Sequence, residues 1–338
     1  MWRGSSVNGW RYMVFEAQSL YSPAVLPWQK GTLDHLLGMY RSNRLPHALL
    51  LAGPAGCGKG VFAASMTSIL LCRAVDALAS DIAPCGSCEG CNLVQAGSHG
   101  DMRWLAPEEG KRAIGVEPIR EAIRFVQQTA GYGEHKVLVI SPAEAMTTAA
   151  ANALLKTLEE PAGNSVICLV CHQPSDLPAT VRSRCQTITF PAPAFESGLA
   201  WLQNELGDND QAYRALKLAE GRPIEALRLA TTGAVDGLVS IRETLSSVLN
   251  RTHSATTATQ RLAGAELDII LAAAAVIVEI KLKDTASLED LGRYRQLFRV
   301  RDDIEQWSGA VRRGVNLARD GLVAHLCNRL YSALPPGV

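Results

Sequence analysis

The residues from Gly53 to Gly60, GPAGCGKG, carry the spacing of a phosphate-binding loop. That pattern is G-x-x-x-x-G-K-[ST] between a strand and a helix, and Gly53, Gly58 and Lys59 occupy its fixed positions. Backbone N–H groups of such a loop surround phosphate oxygens, and the lysine reaches the outer phosphates. Gly60 stands where the pattern has a hydroxyl that holds Mg²⁺. The segment predicts the ancestry of a nucleotide site; the alternative is a glycine-rich turn that begins a helix.

ATP hydrolysis also needs a second strand that ends in acidic residues, which hold the metal and polarise water. The candidate is Lys136 to Ile140, KVLVI, but Ser141 and Pro142 follow it instead of an acidic pair. Glu144 lies close by, and we expect it to point elsewhere from the next turn. Because two metal-holding elements are defective, the sequence predicts a chain that does not hydrolyse ATP by itself.

Four cysteines in the pattern C-x12-C-x2-C-x2-C have the spacing of metal ligands. Zinc binds four thiolates in a tetrahedron, and with every position filled by protein the site would be structural. The predicted zinc ligands are Cys72, Cys85, Cys88 and Cys91. A redox role for a C-x-x-C pair is the alternative. His99 and Asp101 follow this module, and we expect them to stabilise a loop by hydrogen bonds.

The elements that position these residues form a chain of 338 residues, enough for two or three domains. Apolar runs such as His47 to Ala52 and Val166 to Val170 predict buried parallel strands. After Pro191 and Pro193 the pattern is helical. The predicted divisions are a leader at 1–27, an α/β domain at 28–190 with the cysteine module at 72–91, a small helical domain at 191–236 and a larger one at 237–338.

Composition excludes several classes of protein. The charges of the 33 basic and 33 acidic residues cancel, so the formal net charge is zero. This disfavours a module that binds nucleic acid through a large positive net charge. A hydrophobic fraction of 47% excludes extensive disorder. The longest apolar run, Ile269 to Val278, is too short to cross a bilayer. The first residues lack the apolar stretch of a secretion signal, and Met13 is an alternative start. We expect a cytoplasmic protein with reduced thiols and no membrane partner.

Three sequence segments near these motifs resemble segments of a known protein family. They are LPHA at Leu45 to Ala48, ANALLKTLEEP at Ala151 to Pro161, and Ser183-Arg184-Cys185. Together with the cysteine spacing they closely resemble the clamp-loader subunits of bacterial DNA polymerase III, which are ATPases of the AAA+ superfamily. The resemblance covers about Trp28 to Leu229; the remaining residues fit by length and helical character.

The resemblance implies an AAA+ RecA-like domain with an inserted zinc module, a helical lid and a collar that joins five subunits. Such a loader opens a ring-shaped sliding clamp and places it on primer-template DNA. The implied partners are the delta subunit and the gamma/tau motor subunits, with the clamp contacted indirectly. One subunit type of the family is a stator that does not hydrolyse ATP, and the defects of this chain match it. Ile224 stands where motor subunits carry a nucleotide-sensing arginine, so we expect weak nucleotide binding or none.

Within this resemblance Arg184 is the expected catalytic residue. An arginine after a serine at the edge of the α/β domain is suited to reach the γ-phosphate bound by a neighbouring motor subunit, as an arginine finger in trans. The alternatives are a surface salt bridge and Arg182 as the finger. Two other functions remain open, namely an active P-loop ATPase that uses Glu144 or a water, and a zinc-dependent nucleic-acid module.

Overall fold

The computed structural model divides the chain into two compact units that meet in sequence at Arg228. It describes residues 25–74, 84–108, 110–284, 291–312, 315 and 317–334. The predicted leader therefore falls outside the described residues as far as position 24, as does the alternative start at Met13.

The first unit contains a sheet of five parallel strands in the order β2-β3-β4-β1-β5. The strands are β1 (Ala48–Ala52), β2 (Met102–Leu105), β3 (Lys136–Ile140), β4 (Ser165–Cys171) and β5 (Gln186–Thr189). The three central strands β3, β4 and β1 are buried along their whole length. Apolar residues without alternation form such strands because helices cover both faces of a parallel sheet.

Helices cover the two faces of this sheet. Those that precede or follow its strands are α1 (Lys30–Arg41), α2 (Lys59–Leu71), α3 (Glu89–Gln95), α4 (Val116–Val126), α5 (Thr148–Glu159) and α6 (Ala179–Arg182). Leu49 and Leu51 of β1 pack in one core with α1 and α2, whereas Leu50 packs in the other with α4 and α5. This alternation gives a three-layer α/β/α domain, so the predicted fold class is confirmed.

Short helices follow the sheet and complete the first unit. They are α7 (Phe195–Leu206), α8 (Asn209–Leu218) and the start of α9 (Pro223–Thr231). Leu202 of α7 and Leu216 of α8 are fully buried. Trp201 packs edge-to-face on Trp28, with ring centroids 5.6 Å apart. These helices correspond to the predicted lid, although its boundaries stay a prediction.

The regular elements of the second unit are all helices among the residues that the structure describes. Its helices are α10 (Val235–Leu249), α11 (Ala255–Arg261), α12 (Leu267–Asp284), α13 (Leu291–Arg312) and α14 (Arg319–Ala333). One apolar core joins them, with fully buried residues such as Leu245, Ile270, Leu297 and Leu330. Among the described helices, none combines the length and the apolar character that crossing a bilayer requires.

Candidate functional site

The predicted phosphate loop connects β1 to α2. Gly58 lies at the N-terminus of α2 with a φ of +86°, a conformation that glycine adopts without steric cost. A Cβ on Gly58 would lie 2.2 Å from Cδ1 of Leu26. Gly53 has its N–H on the carbonyl of Cys171 at the end of β4, 3.2 Å away. The segment therefore connects a strand to a helix and requires glycine at position 58.

The lysine of this loop turns back on the loop itself. The Nζ atom of Lys59 donates to the carbonyl oxygens of Gly53 and Pro54, both at 2.7 Å. Only 2% of the residue is exposed to solvent. Carbonyl oxygens thus occupy donors that a phosphate would otherwise take.

Two side chains from the segment before α1 donate hydrogen bonds to backbone carbonyls of the phosphate loop. The Trp28 indole donates to the carbonyl of Cys57 at 3.2 Å. Gln29, which is 1% exposed, donates to the carbonyls of Cys57 and Gly58 at 3.2 and 2.9 Å. Sequence reasoning missed both contacts, because nothing in the residue pattern joins this segment to the loop.

Ile224 at the start of α9 closes the loop from the lid. Its backbone N–H donates to the carbonyl of Gly56 at 3.0 Å. Its side chain is 5% exposed and packs with Leu26 and Val61. An apolar contact therefore lies where the resemblance implied a sensing arginine in motor subunits. The nearby Arg222 binds the carbonyl of Ala219 through Nε, at 2.8 Å.

The end of β3 carries no acidic side chain. Ser141 instead donates its N–H to the carbonyl of Leu105 at the end of β2, 2.9 Å away. Glu144 points to the next strand, where Oε1 accepts the backbone N–H groups of His172 and Gln173 at 2.9 and 3.3 Å. Burial and the nearby Lys59 charge lower the pKa of His172 to about 4, so this imidazole is neutral at pH 7.

These contacts do not fit a magnesium nucleotide. The loop lysine is bound to carbonyls, Gly60 offers no hydroxyl, and Glu144 caps the end of β4. The alternative of an active ATPase that uses Glu144 loses support from this geometry.

The four predicted metal ligands come together in one cluster. Cys72 ends α2, Cys88 caps the N-terminus of α3, and all four sulfur atoms lie within 4.8 Å of one another. The Sγ atoms of Cys72 and Cys88 are 3.8 Å apart, and those of Cys85 and Cys91 are 4.0 Å apart. Four thiolates at about 2.3 Å from one tetrahedral ion would be separated by about 3.8 Å. The cluster could therefore hold a metal ion.

Backbone N–H groups of the module point at these sulfur atoms. Cys85 N–H donates to Cys72 Sγ at 3.3 Å, and Cys88 N–H donates to Cys85 Sγ at 3.2 Å. Hydrogen bonds from Ser87 and Cys88 lower the pKa of Cys85 to about 6, which favours its thiolate. A Cβ on Gly90 would lie 2.3 Å from the Leu71 carbonyl, so a glycine is required where the module meets α2.

Two ion pairs lie near the module, one between the end of α2 and α3 and one where β2 and β3 begin. Arg73 pairs with Glu89 at 2.8 Å and lies over the ring of Tyr132. Asp101 accepts the N–H groups of Gly131 and Tyr132 through its carboxylate and pairs with Lys136 at 3.1 Å. The predicted role of Asp101 as a loop-stabilising group is confirmed.

Arg184 lies at the surface between α6 and β5, with a third of its side chain exposed. Its Nε and Nη2 atoms bind Oε1 of Glu159, the last residue of α5. Its Nη1 atom donates to the carbonyl of Thr180 at 2.9 Å. The salt bridge that the sequence left open as an alternative is thus present, and the role of a finger in trans stays a prediction. Residue spacing gave no signal for Glu159, which precedes Arg184 by 25 positions.

Comparison with known proteins agrees with the predicted resemblance. A family model described as DNA polymerase III, delta subunit, matches residues 28–194. The DNA polymerase III subunit delta-prime of Escherichia coli is 38% identical over 204 residues, which are 60% of this chain and 60% of that protein. A solved DNA polymerase III gamma subunit-related protein from Thermotoga maritima covers 88% of this chain and 99% of its own, with 17% identity and a TM-score of 0.42.

The DNA polymerase III subunit delta-prime of Pseudomonas aeruginosa is 39% identical over 229 residues. The matched region covers 67% of this chain and 68% of that protein. Since both shares exceed two thirds at this identity, the chain belongs to the delta-prime family of DNA polymerase III subunits.

Proposed function

We propose that this chain is the ATPase-silent stator of a DNA polymerase III clamp loader. In this role it helps to load a sliding clamp onto primed DNA and supplies Arg184 in trans to a neighbouring motor subunit. Membership of the delta-prime family supports the assembly role. The proposed partners are the delta and gamma/tau subunits, with the clamp contacted indirectly and DNA lying within the complex.

The observation that carries the silent role is the position of the Lys59 amine. It donates to two carbonyl oxygens of its own loop in a buried site. A phosphate that bound the Lys59 amine would have to displace these bonds. Without a loop hydroxyl or a strand-end carboxylate to hold Mg²⁺, little binding free energy remains to offset that cost.

We further propose that the thiol cluster holds one structural zinc ion. Its ligands are Cys72, Cys85, Cys88 and Cys91. Four thiolates leave no coordination position open for a reactive water, so the ion would stabilise the module and take no part in chemistry. Reduced thiols are also consistent with the cytoplasm, where we propose that the chain acts.

Each predicted domain of the chain has its own role in the proposed function. The α/β domain at 28–190 supplies Arg184, the lid at 191–236 holds the phosphate loop closed, and the helical region at 237–338 joins the other subunits as a collar. The separate apolar core of the second unit supports an independent domain there.

The silent role predicts that the purified chain does not turn over ATP in the presence of Mg²⁺. Wild type and Lys59→Ala should give the same background rate, because the lysine does not act on phosphate. A motor subunit assayed in parallel provides the positive control. Sustained turnover by the purified chain that Lys59→Ala abolishes would contradict the proposal and favour an active ATPase.

The finger role predicts that Arg184→Ala removes one kinetic phase of ATP hydrolysis from a loader reconstituted with DNA and clamp. Loss of a finger slows phosphoryl transfer at the affected site by about 10³-fold or more. Arg182→Ala tests the alternative finger and should keep every phase; this exposed arginine lies two positions away on α6. Assembly, measured by gel filtration, should be unchanged in both variants. A loader whose phases are all retained in Arg184→Ala would exclude the finger.

A further inference from the structure

Arg184 and Glu159 are anchored by the same apolar core. Leu158, which precedes the glutamate on α5, is 1% exposed, and Val181 on α6 is fully buried in the same cluster. The carbonyl of Thr180, which precedes Val181 on this short helix, and the hydroxyl of Ser183, which follows the helix, both contact the guanidinium. Glu159 therefore lies at the end of α5 and Arg184 two residues after α6, and packing in this core fixes the relative position of the two helices.

The hydrogen bonds of the guanidinium use only part of its donors. Glu159 takes the edge formed by Nε and Nη2, and Thr180 takes one N–H of Nη1. Nη1 also contacts Ser183 Oγ at 3.4 Å. An arginine has five N–H donors, and the second N–H of Nη2 has no acceptor among the residues that the structure describes.

We propose that Glu159 is the positioning residue for Arg184, holding the guanidinium in the orientation that the neighbouring active site requires. This inference rests on the proposed role of Arg184 as a finger in trans. Glu159 acts through Arg184 and does not itself contact the phosphate. It fixes the edge formed by Nε and Nη2, so that the second N–H of Nη2 stays available for an anion.

The exposure of the pair indicates what it contributes. The side chains of Arg184 and Glu159 are 33% and 48% exposed, and ion pairs at such positions add little to folding stability. Orientation of a catalytic group matters more, because a displacement of about 1 Å can slow a reaction by a large factor. Removing Glu159 should therefore affect the rate of hydrolysis while leaving the melting temperature nearly unchanged.

The test uses the reconstituted loader with DNA and clamp, and follows the kinetic phase that Arg184→Ala removes. Glu159→Ala should slow this phase by about threefold to tenfold without changing the ATP concentration that gives half its rate. Glu159→Gln keeps an acceptor for Nε and should restore most of the rate. Glu160→Ala is the matched control, because this exposed neighbour carries the same charge and makes no contact with Arg184.

A double variant separates positioning from a general structural effect. In the Arg184→Ala background, Glu159→Ala should leave the remaining phases of hydrolysis unchanged, because the glutamate acts only through the arginine. An additional loss there would overturn the inference, as would a normal or faster phase in Glu159→Ala alone. Those results would leave the finger itself intact. If Arg184→Ala removes no phase, the finger fails and the positioning role fails with it.

Discussion

Asp101 and Lys136 form an ion pair that is almost completely buried where β2 and β3 begin. Their side chains are 2% and 6% exposed, and the ammonium of Lys136 also lies over the Phe125 ring. Burial alone would raise the pKa of Asp101, but the N–H groups of Gly131 and Tyr132 and the charge of Lys136 outweigh it. The pKa of this carboxyl therefore lies below its usual value, and its ionised form stabilises the fold.

Replacing Asp101 by Asn should destabilise the chain by about 3 kcal/mol at pH 7, because a buried Lys136 would lose its counter-charge. The depressed pKa of Asp101 implies that this stabilisation is complete above the unfolded-state value of about 3.9 and is lost as the pH falls through the folded-state value. Urea unfolding at a series of pH values measures the difference between variant and wild type. A difference that persists unchanged at pH 2 would contradict this explanation.

For single residues, the sequence predicted which side chains belong to a site but not which atoms they contact. Lys59 and the four cysteines were found from spacing, because a loop or a metal site requires fixed offsets along the chain. The direction of the Lys59 amine and the pairing of Arg184 with Glu159 were not predictable. Both depend on the packing of segments that are far apart in the sequence.

At the scale of elements, the cysteine module should bind about one zinc per chain. Cys91→Ser should lose the metal and lower the melting temperature, because the module would no longer be held to the end of α2. Metal analysis by atomic absorption measures the content directly. Cys185→Ser is the control, since this thiol lies outside the cluster. Absence of metal after purification under reducing conditions would refute the site.

The strands show why some elements were predicted and others were not. β3 was predicted to the residue, and β1 and β4 to within one residue, because buried parallel strands are continuous apolar runs. The edge strands β2 and β5 were missed. Met102–Leu105 and Gln186–Thr189 are short and partly exposed, so no such run marks them. The sheet order that they complete is set by tertiary packing.

At the scale of the whole molecule, each unit has its own apolar core, which predicts separate effects of core substitutions. Leu138→Ala in the sheet and Leu330→Ala in α14 should each cost about 2–5 kcal/mol, because both side chains are fully buried. Calorimetry should resolve two transitions, with the first variant shifting one of them and the second shifting the other. If both substitutions shift a single common transition, the units do not unfold separately.

The closure of the phosphate loop has a consequence for motion. The bond from Ile224 to Gly56 and the bonds from Trp28 and Gln29 to Cys57 join the lid, the loop and the segment before α1. On the proposed function, we expect the angle between the lid and the sheet to be the same whether or not ATP is added. In the proposed assembly we therefore expect this chain to keep one conformation while the neighbouring motor subunits change theirs.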